Sequence, residues 1–446
     1  MTHRGLRLSL LALALASSSA GVWSMDLLQA YETAKINDAT ILASRAAADA
    51  GRERLPQARS QLLPNVSASL SGNKNQLHNV SLNILDQEQT SDTGYPSRNE
   101  TVSVRQPLFR TYQMAQYRQA QAQVDDAEAS LAQDEQDLVV RVSGAYFEAM
   151  LTNDQLALVL AQRAAYTTQL AAASQSLAAG AGTRTDVDEA QARLDMTMAN
   201  EIEARQNIDY TLRQLQILVN QPIDALAKLN LSKFELLEPQ PIQIESWTER
   251  AEQNNRHLQS LKAQVEASRQ EVDKAQSGHY PTLDAVAQWT RSQSENVTNL
   301  QSRYVNKAFG LQLNVPLFAG GYVNSSVRQA LAGLERASQL LEAGRRDLGL
   351  RVHKEFRGVT ENIAKIRALE QALRSADQLV LSSKKSLQGG SRTVVDVMNA
   401  EQQRMVVLRD LAQTRYLYLM SRIRLLALVG GADEQAVAAI NSLLQR

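Results

Sequence analysis

Apolar residues recur every three or four positions along two long segments of the chain. In the second segment the successive steps are 4, 3, 7, 7, 4, 7, 4, 3 and 7 residues, which keeps the a and d positions of a heptad repeat. These residues are Val327, Leu331, Leu334, Leu341, Leu348, Val352, Val359, Ile363, Ile366 and Leu373. The first segment shows the same periodicity through Leu131, Leu138, Val142, Ala145, Ala149, Leu156 and Val159. The second pattern predicts a helix from about Tyr322 to Leu387, roughly 100 Å long at 1.5 Å per residue.

Proline is absent from both segments. The chain has nine prolines, and none of them lies between Pro107 and Pro222 or after Pro316. A proline inside a helix costs about 3 kcal/mol, because it removes a hydrogen bond and clashes with the preceding turn. Both proline-free spans are therefore predicted to be helical.

Between the helices, four short segments alternate apolar and polar residues with a period of two. In residues 303–315 the odd positions from Val305 onward are apolar except for Lys307, and the even positions are polar or small. Residues 66–71, 102–105 and 283–289 alternate in the same way. This pattern is typical of β-strands with unlike faces. The polar stretches 75–98 and 292–302 are predicted to be the hairpin loops.

The order of helix, hairpin and long helices occurs twice, and short motifs recur with it. Pro-Leu-Phe occurs at 107–109 and 316–318, an offset of 209 residues, and Asp-Val occurs at 186–187 and 396–397, an offset of 210. We interpret this nearly constant offset as an internal two-fold repeat. The predicted divisions are a signal peptide (1–24), repeat 1 (25–222, hairpin about 62–109), an equatorial linker (223–244), repeat 2 (245–430, hairpin about 281–318) and a C-terminal tail (431–446).

The N-terminus has the composition of a secretory signal peptide. His3, Arg4 and Arg7 precede the apolar run 8–16, and small residues follow at 17–21. Cleavage is predicted after Ala20 or Ser24. After this leader, no stretch of 18 consecutive apolar residues occurs in the sequence.

Composition excludes several kinds of chemistry. The chain has no cysteine, so it has no disulfide, no thiolate metal ligand and no catalytic thiol. Its five histidines are scattered, and no GxxxxGK[ST], HExxH or GxSxG motif is present. Lys and Arg together number 47, as do Asp and Glu, so no net charge points to nucleic acid. We predict a protein that is not an enzyme and has no cofactor, no metal and no nucleic-acid partner.

Two amphipathic hairpins leave two possibilities for their apolar faces. Either the apolar faces cover a hydrophobic core within a single soluble chain, or they face lipid. Four strands are too few to close a barrel, which needs about eight, and open strand edges are not tolerated in hydrocarbon. The lipid-facing alternative therefore requires several chains that contribute 8 or 12 strands together.

Several motifs in this order resemble those of the outer-membrane efflux protein family typified by TolC. The resemblance is carried by residues 58–64, by the two Pro-Leu-Phe strand ends (Pro107, Phe109, Pro316, Phe318), by Gly320 and Gly321, and by residues 391–397. It covers about residues 25–430. It implies an α+β fold with four membrane β-barrel strands per chain, twelve in a trimer, continuous with a long α-helical periplasmic barrel.

The family resemblance also implies a function. Its members are homotrimeric channel-tunnels in the Gram-negative outer membrane, in contact with outer-membrane lipid, and serve as exit ducts. They are recruited by a periplasmic adaptor (membrane fusion) protein and an inner-membrane ABC or RND transporter, for type I protein secretion or for efflux of small molecules. Because many drug-efflux members carry a lipid-modified cysteine and this chain has none, it is more similar to the unlipidated branch, which includes type I secretion ducts. The alternatives are a periplasmic adaptor-like protein and a secreted coiled-coil structural protein.

By the same resemblance, the periplasmic aperture is expected where paired helices converge. Glycines at the helix tips (Gly180, Gly182, Gly389, Gly390) are predicted to form the turns. Asp396 matches a pore-facing aspartate whose three copies form a carboxylate ring, with an ordinary first-turn carboxylate as the alternative. Asn399 replaces the aspartate of a second ring, and Glu189 is its repeat-related position.

A closing contact is also implied at the aperture. Arg392 matches an arginine that bonds to the neighbouring helix pair, where Asp186 and Thr185 match its partners, and Leu387 replaces a tyrosine of the family. The hypothesis is that Arg392 and Asp186 latch the tip. The alternative is a surface salt bridge that contributes nothing measurable to closure.

Overall fold

The structure is a computed structural model that describes residues 24–294 and 302–445. The predicted signal peptide lies outside the described residues except for Ser24. Of the predicted loop 292–302, residues 295–301 also lie outside them.

Ten α-helices and six β-strands make up the described part of the chain. In sequence order they are α1 (Leu27–Asn37), α2 (Ala39–Arg52), α3 (Arg54–Ser60), β1 (Asn65–Leu82), β2 (Glu88–Phe109), α4 (Thr111–Ala178), α5 (Arg184–Val219), β3 (Lys228–Leu229), α6 (Ile244–Asn254), α7 (Arg256–Gln276), β4 (Thr282–Gln293), β5 (Arg303–Asn314), α8 (Tyr322–Gln388), α9 (Val394–Leu428), α10 (Glu434–Asn441) and β6 (Leu444–Gln445). They divide into two compact units.

The long helices confirm the prediction from the heptads. Helix α8 has 67 residues and ends one residue beyond the predicted Leu387, and α4 has 68 residues. Within the first unit (residues up to Ser44, Ala132–Asn255 and Arg346 onward) the heptad residues from Leu348 to Ile366 are buried. Earlier in α8, in the second unit, Leu331 is exposed in the protomer. The heptad pattern therefore continues over a surface that one protomer does not cover.

The second unit (Arg45–Leu131 and Arg256–Arg345) holds a four-stranded antiparallel sheet in the order β1-β2-β4-β5. Strands β1 and β5 are its edges, each with one hydrogen-bonded neighbour. The register places Val66 opposite Val104, Val104 opposite Ala287, and Ala287 opposite Phe309, so one face carries the apolar residues. The opposite face carries Ser67 and Ser103, whose hydroxyls lie 2.7 Å apart. The predicted difference between the two faces is confirmed.

The prediction of a loop at residues 75–98 is wrong. Strands β1 and β2 remain paired from Asn65–Arg105 to Leu82–Glu88, and the turn between them occupies only residues 83–87. The Asn83 side-chain oxygen closes this turn by accepting from the amides of Leu85 and Gln87, at 2.9 and 3.0 Å. Much of the β1–β2 hairpin is polar on both faces, so the hydropathy of its sequence shows little alternation. Its backbone groups can nevertheless pair, because strand pairing uses the backbone and does not require apolar side chains.

The first unit has a core in which aromatic side chains reach the irregular segments. Tyr146 is fully buried, and its hydroxyl donates to the carbonyls of Met25 (3.0 Å) and Ala227 (3.2 Å). In the predicted C-terminal tail, α10 is followed by β6, which pairs with β3 of the predicted linker. The linker and the tail thus contain elements of the folded unit. Among the described helices, none combines the length and apolarity needed to cross a membrane.

Candidate functional site: the helix tips

The turns at the two helix tips have matching geometry. Gly180 and Gly390, 210 positions apart, have φ values of +72° and +71°, a conformation that costs little only for glycine. After each glycine the next amide reaches back five residues, from Ala181 to the Ser176 carbonyl and from Ser391 to the Ser386 carbonyl, both at 2.9 Å. This is the hydrogen bond of a Schellman motif. The turns at Gly180 and Gly390 therefore share the same left-handed glycine and the same closing hydrogen bond.

Gly182 and Gly389 complete the tips without left-handed backbone. A Cβ at Gly182 would lie 3.0 Å from the Leu177 nitrogen and the Ser176 Cβ, so a side chain there crowds the turn. At Gly389 the nearest neighbours of an added Cβ would be the carbonyl oxygens of Lys385 and Ser386, both at 3.7 Å, so lack of space does not require glycine there.

Each turn leads into a capping box. The Asp186 amide donates to the Thr183 hydroxyl (3.2 Å), and the Asp186 carboxylate accepts from the Thr183 amide and hydroxyl (3.0 and 2.7 Å). Thr393 and Asp396 repeat these bonds at 3.2, 2.9 and 2.9 Å. The bonds from Thr393 lower the pKa of the Asp396 carboxyl group. Asp396 therefore stays ionised in the first turn of α9, which is the alternative role that the sequence left open.

An apolar cluster packs the two tips together. Tyr166 of α4, Ala190 of α5 and Met398 of α9 are buried in one cluster, and Leu170, Leu194, Val394 and Val395 pack around it. These residues come from both helical hairpins, α4–α5 and α8–α9. A close apolar contact of this kind fixes the spacing at which polar side chains on α5 and α9 meet.

Arg193 of α5 is the residue that joins the predicted ring positions. Its guanidinium donates to the Glu189 carboxylate (2.8 Å), the Asn399 side-chain oxygen (2.8 Å) and the Gln402 side-chain oxygen (3.1 Å). Partial burial alone would lower the pKa of Arg193, but the hydrogen bonds to Glu189 and Tyr166 outweigh burial and raise it. Glu189 and Asn399 are thus brought together, with the carboxylate charge balanced by Arg193.

Arg193 is not among the site residues predicted from the sequence. A glutamate four residues before an arginine on a helix is a recognisable favourable pair, so Glu189 and Arg193 were detectable as neighbours. Their link to Asn399 was not detectable, because it joins residues 206 positions apart in the chain.

Within one protomer, the members of the predicted latch contact other groups. Arg392 donates to the buried Ser383 hydroxyl at 2.8 Å, and Asp186 is held by Thr183. Thr185 is exposed at the tip. Among the described residues of a single protomer, no hydrogen bond or ion pair joins Arg392 to Asp186.

Charged pairs continue along the helices away from the tips. Glu201, with a side chain only 9% exposed, accepts from Arg163 and Arg205, both at 2.8 Å, and these bonds lower the pKa of its carboxyl group. Glu401, 8% exposed, accepts from Lys384 at 2.6 Å. In the described residues no group of three or more His, Asp or Glu side chains is arranged to hold a metal ion.

The remaining predicted residues lie in the second unit. Pro107 and Phe109 belong to the end of β2, where the register with β4 shifts, and Pro316 and Phe318 follow β5. Gly320 and Gly321 have φ values of +61° and +84° immediately before α8 begins. These motifs therefore form strand-to-helix junctions and do not contribute to the tip network.

The fold is shared with known outer-membrane channels. The outer membrane protein VceC of Vibrio cholerae superposes with a TM-score of 0.78 over 91% of this chain and 96% of its own, at 18% identity. At the sequence level, the model of the outer membrane efflux protein family matches residues 30–221 and 247–431. The chain belongs to the outer membrane efflux protein family.

Two relatives match along nearly their whole length. The proteases secretion protein PrtF of Dickeya chrysanthemi is 31% identical over 438 residues, covering 98% of this chain and 95% of PrtF. The alkaline protease secretion protein AprF of Pseudomonas aeruginosa is 33% identical over 414 residues, covering 92% of this chain and 86% of AprF. The chain is therefore an outer-membrane exit-duct protein. The alternatives of an adaptor-like protein and of a secreted coiled coil are set aside.

Proposed function

We propose that this chain forms the homotrimeric outer-membrane exit duct of a type I protein-secretion system that exports a protease. The observation that carries the proposal is the similarity, at 31% and 33% identity over almost the full length, to two relatives named for protease secretion. The partners are then a periplasmic adaptor and an inner-membrane transporter of the ABC class. The absence of cysteine supports the unlipidated branch of the family.

The open sheet supports trimerisation. Four strands cannot close, and β1 and β5 each leave one edge unpaired, so three copies joined edge to edge supply twelve strands. The four-stranded part has about 12 residues per strand (β4 and β5 have 12 each), and a tilted membrane strand needs about 9–11. In this proposal the sequence repeat supplies each protomer with two hairpins and two helical tips, and the helices form the periplasmic barrel.

Secretion by a reconstituted system tests the proposed function. The chain is co-expressed with an ABC transporter and a periplasmic adaptor of a protease-secretion system in a host that lacks its own exit duct, and the protease substrate is assayed in the medium. We expect extracellular protease only when all three components are present, and a heat-modifiable trimer in the outer-membrane fraction. Recovery of the chain only in the soluble periplasmic fraction would refute the duct. Drug resistance without protease export would instead indicate small-molecule efflux.

We also propose that Asp396 forms a ring of three carboxylates in the trimer. The pKa of the Asp396 carboxyl group is lowered from its usual 3.8. The carboxylate therefore keeps its charge through the pH range in which an aspartate usually titrates, and loses it only as the pH falls through the lowered pKa. At pH 7 the Asp396 carboxylate of each protomer is therefore ionised, and three copies at one aperture are expected to make the channel select cations. Asp396→Asn is expected to reduce the cation-to-anion permeability ratio at least about threefold, measured by reversal potential in planar bilayers.

Asp188→Asn is the matched control for the ring. Asp188 is also an aspartate near the tip, but it is exposed and paired with Arg184 at 3.0 Å. Its replacement is expected to leave selectivity unchanged. Equal selectivity in the Asp396 and Asp188 variants would remove Asp396 from the ring and leave it as a helix cap.

The latch is proposed between protomers, where Arg392 of one copy meets Asp186 and Thr185 of the next. The Arg392 and Asp186 side chains lie at the tip, and within the protomer they bond to uncharged groups, the Ser383 hydroxyl and the Thr183 hydroxyl and amide. Each therefore keeps its charge for a second contact. Combining Asp186→Ala with Arg392→Ser is expected to raise single-channel conductance about twofold or more. Unchanged conductance of this double variant would reject the latch.

A further inference from the structure

Five basic residues share the apolar face of the four-stranded sheet. We call Lys74, Arg98, Arg291, Arg303 and Lys307 the basic belt. Arg98 lies opposite Gln293 and Gln293 opposite Arg303, so the two arginines belong to one row across three strands. All five side chains are exposed. In the described part of the chain none of the five forms a salt bridge.

The register places the belt beside the apolar band of the same face. Lys307 lies opposite Trp289, which lies opposite Val102. Towards the helices the same face then carries only uncharged residues, most of them apolar and many of them exposed: Val66, Val104, Gln106, Phe109, Leu283, Ala285, Ala287, Phe309, Leu311 and Leu313. One face thus changes from apolar to basic along the strands.

On this face the charged residues are confined to one end of the sheet. All four strands join helices at the opposite end, since β1 follows α3, β2 precedes α4, β4 follows α7 and β5 precedes α8. Because the helices extend into the periplasm, the belt lies at the outer end of the strands. Glu100, opposite Arg291, is the acidic residue within the belt. Farther out, Asp92 is already paired with His78 at 2.6 Å.

Basic side chains on a lipid-facing surface are unfavourable in hydrocarbon, and their cost falls towards the membrane interface. There, anionic headgroups turn the cost into attraction, and arginine binds phosphate through two parallel hydrogen bonds. Arg98 and Arg303 are two strand spacings apart, roughly 10 Å, so one ligand that carries two phosphates spans both. The uncharged end of the same face, next to the helices, has no basic side chain that could bind a phosphate group.

We propose that the basic belt binds the phosphate groups of a phosphorylated glycolipid in the outer leaflet of the outer membrane. The proposal rests on the outer-membrane duct proposed above, since the strands must face lipid. The apolar band contacts the acyl chains of this lipid, and the arginine row contacts its headgroup. The bound lipid then neutralises a charge that otherwise opposes insertion of the outer rim.

Native mass spectrometry of the full-length trimer in detergent tests this proposal, with diphosphoryl lipid A, its monophosphoryl form and its dephosphorylated form as probes. We expect retention to fall in that order. A variant carrying Arg98→Gln, Arg291→Gln and Arg303→Gln is expected to retain diphosphoryl lipid A about tenfold less than the unmodified protein. A variant with three exposed helix arginines replaced (Arg59→Gln, Arg328→Gln, Arg336→Gln) has the same change in charge and is expected to retain it normally.

Three outcomes would overturn the belt. The first is equal retention of diphosphoryl lipid A by the belt variant and the control variant, and the second is equal retention of phosphorylated and dephosphorylated lipid A by the unmodified protein. The third is full displacement of diphosphoryl lipid A by inorganic pyrophosphate, which would define an anion site without lipid selectivity. Bilayer conductance of the same preparations separates this result from failure of the duct. A trimer that conducts but shows no phosphate preference refutes the belt alone, whereas absence of a conducting trimer refutes the duct.

Discussion

Replacing Arg193 by glutamine is expected to raise the occupancy of the high-conductance state of the reconstituted trimer about tenfold. Arg193 holds the α4–α5 hairpin to the α8–α9 hairpin through Asn399 and Gln402, while Glu189 holds its guanidinium in place. Hydrogen bonds of charged groups contribute about 1.5–3 kcal/mol, and about 1.4 kcal/mol changes a two-state equilibrium tenfold. Separation of the tips must break this contact, so its loss favours the open state.

Arg184→Gln is the control for this prediction. Arg184 lies on the same helix and pairs with Asp188 four residues later at 3.0 Å, but it is exposed and makes no hydrogen bond to α9 among the described residues. A surface pair of this kind contributes little to stability. The conductance of the Arg184→Gln channel is therefore expected to match that of the unmodified channel. Equal conductance of the Arg193 and Arg184 variants would show that the bridge does not hold the tips. Heat-modifiable migration of each trimer confirms that it has assembled.

Replacing Arg110 by methionine is expected to destabilise the second unit by about 3–5 kcal/mol, because it leaves a buried carboxylate without its hydrogen-bonded partner. Asp284 on β4 has a side chain only 5% exposed, and Arg110 binds both of its oxygens, with 2.8 Å from Nε to Oδ1. The pair joins the residue that follows β2 to the start of β4. The expected result is a lower temperature for dissociation of the detergent-solubilised trimer, measured by gel migration after stepwise heating.

Arg105 provides the internal comparison, since it lies 4.0 Å from the same carboxylate but is 56% exposed. Arg105→Met is therefore expected to cost at most about 1 kcal/mol. If the Arg110 variant does not fold, combining Arg110→Met with Asp284→Leu is expected to restore assembly, because the unpaired charge is then removed. Equal dissociation temperatures for the Arg110 and Arg105 variants would contradict the prediction.

Local signals allowed much of the helical part to be predicted. The heptad spacing and the positions of proline gave α8 to within one residue of its end, because periodicity and proline sterics act over a few neighbouring residues. The left-handed glycines Gly180 and Gly390 lie at positions that the sequence suggested for the same reason, since a left-handed turn depends on one residue and its immediate neighbours. The amphipathic strands were found only where their two faces differ in polarity.

Prediction failed where the determining contacts are distant in sequence or carry no hydropathic contrast. Residues 75–98 were predicted as a loop, although β1 and β2 remain hydrogen-bonded through most of this range. Arg193 was overlooked because its partners Asn399 and Gln402 lie on another helix. Asp396 was predicted to be a pore residue or a first-turn carboxylate, and its hydrogen bonds within the capping box became visible only in the folded turn.

By itself, the sequence determined which segments are helices, which are amphipathic strands and where the helices turn, because these properties depend on side chains within a few residues of one another. Only the tertiary structure decided which residues meet across helices and strands. Strand register brought the residues of the basic belt onto one end of one face, and helix packing brought Arg193 to Asn399. Both depend on contacts between distant parts of the chain, which no local pattern encodes.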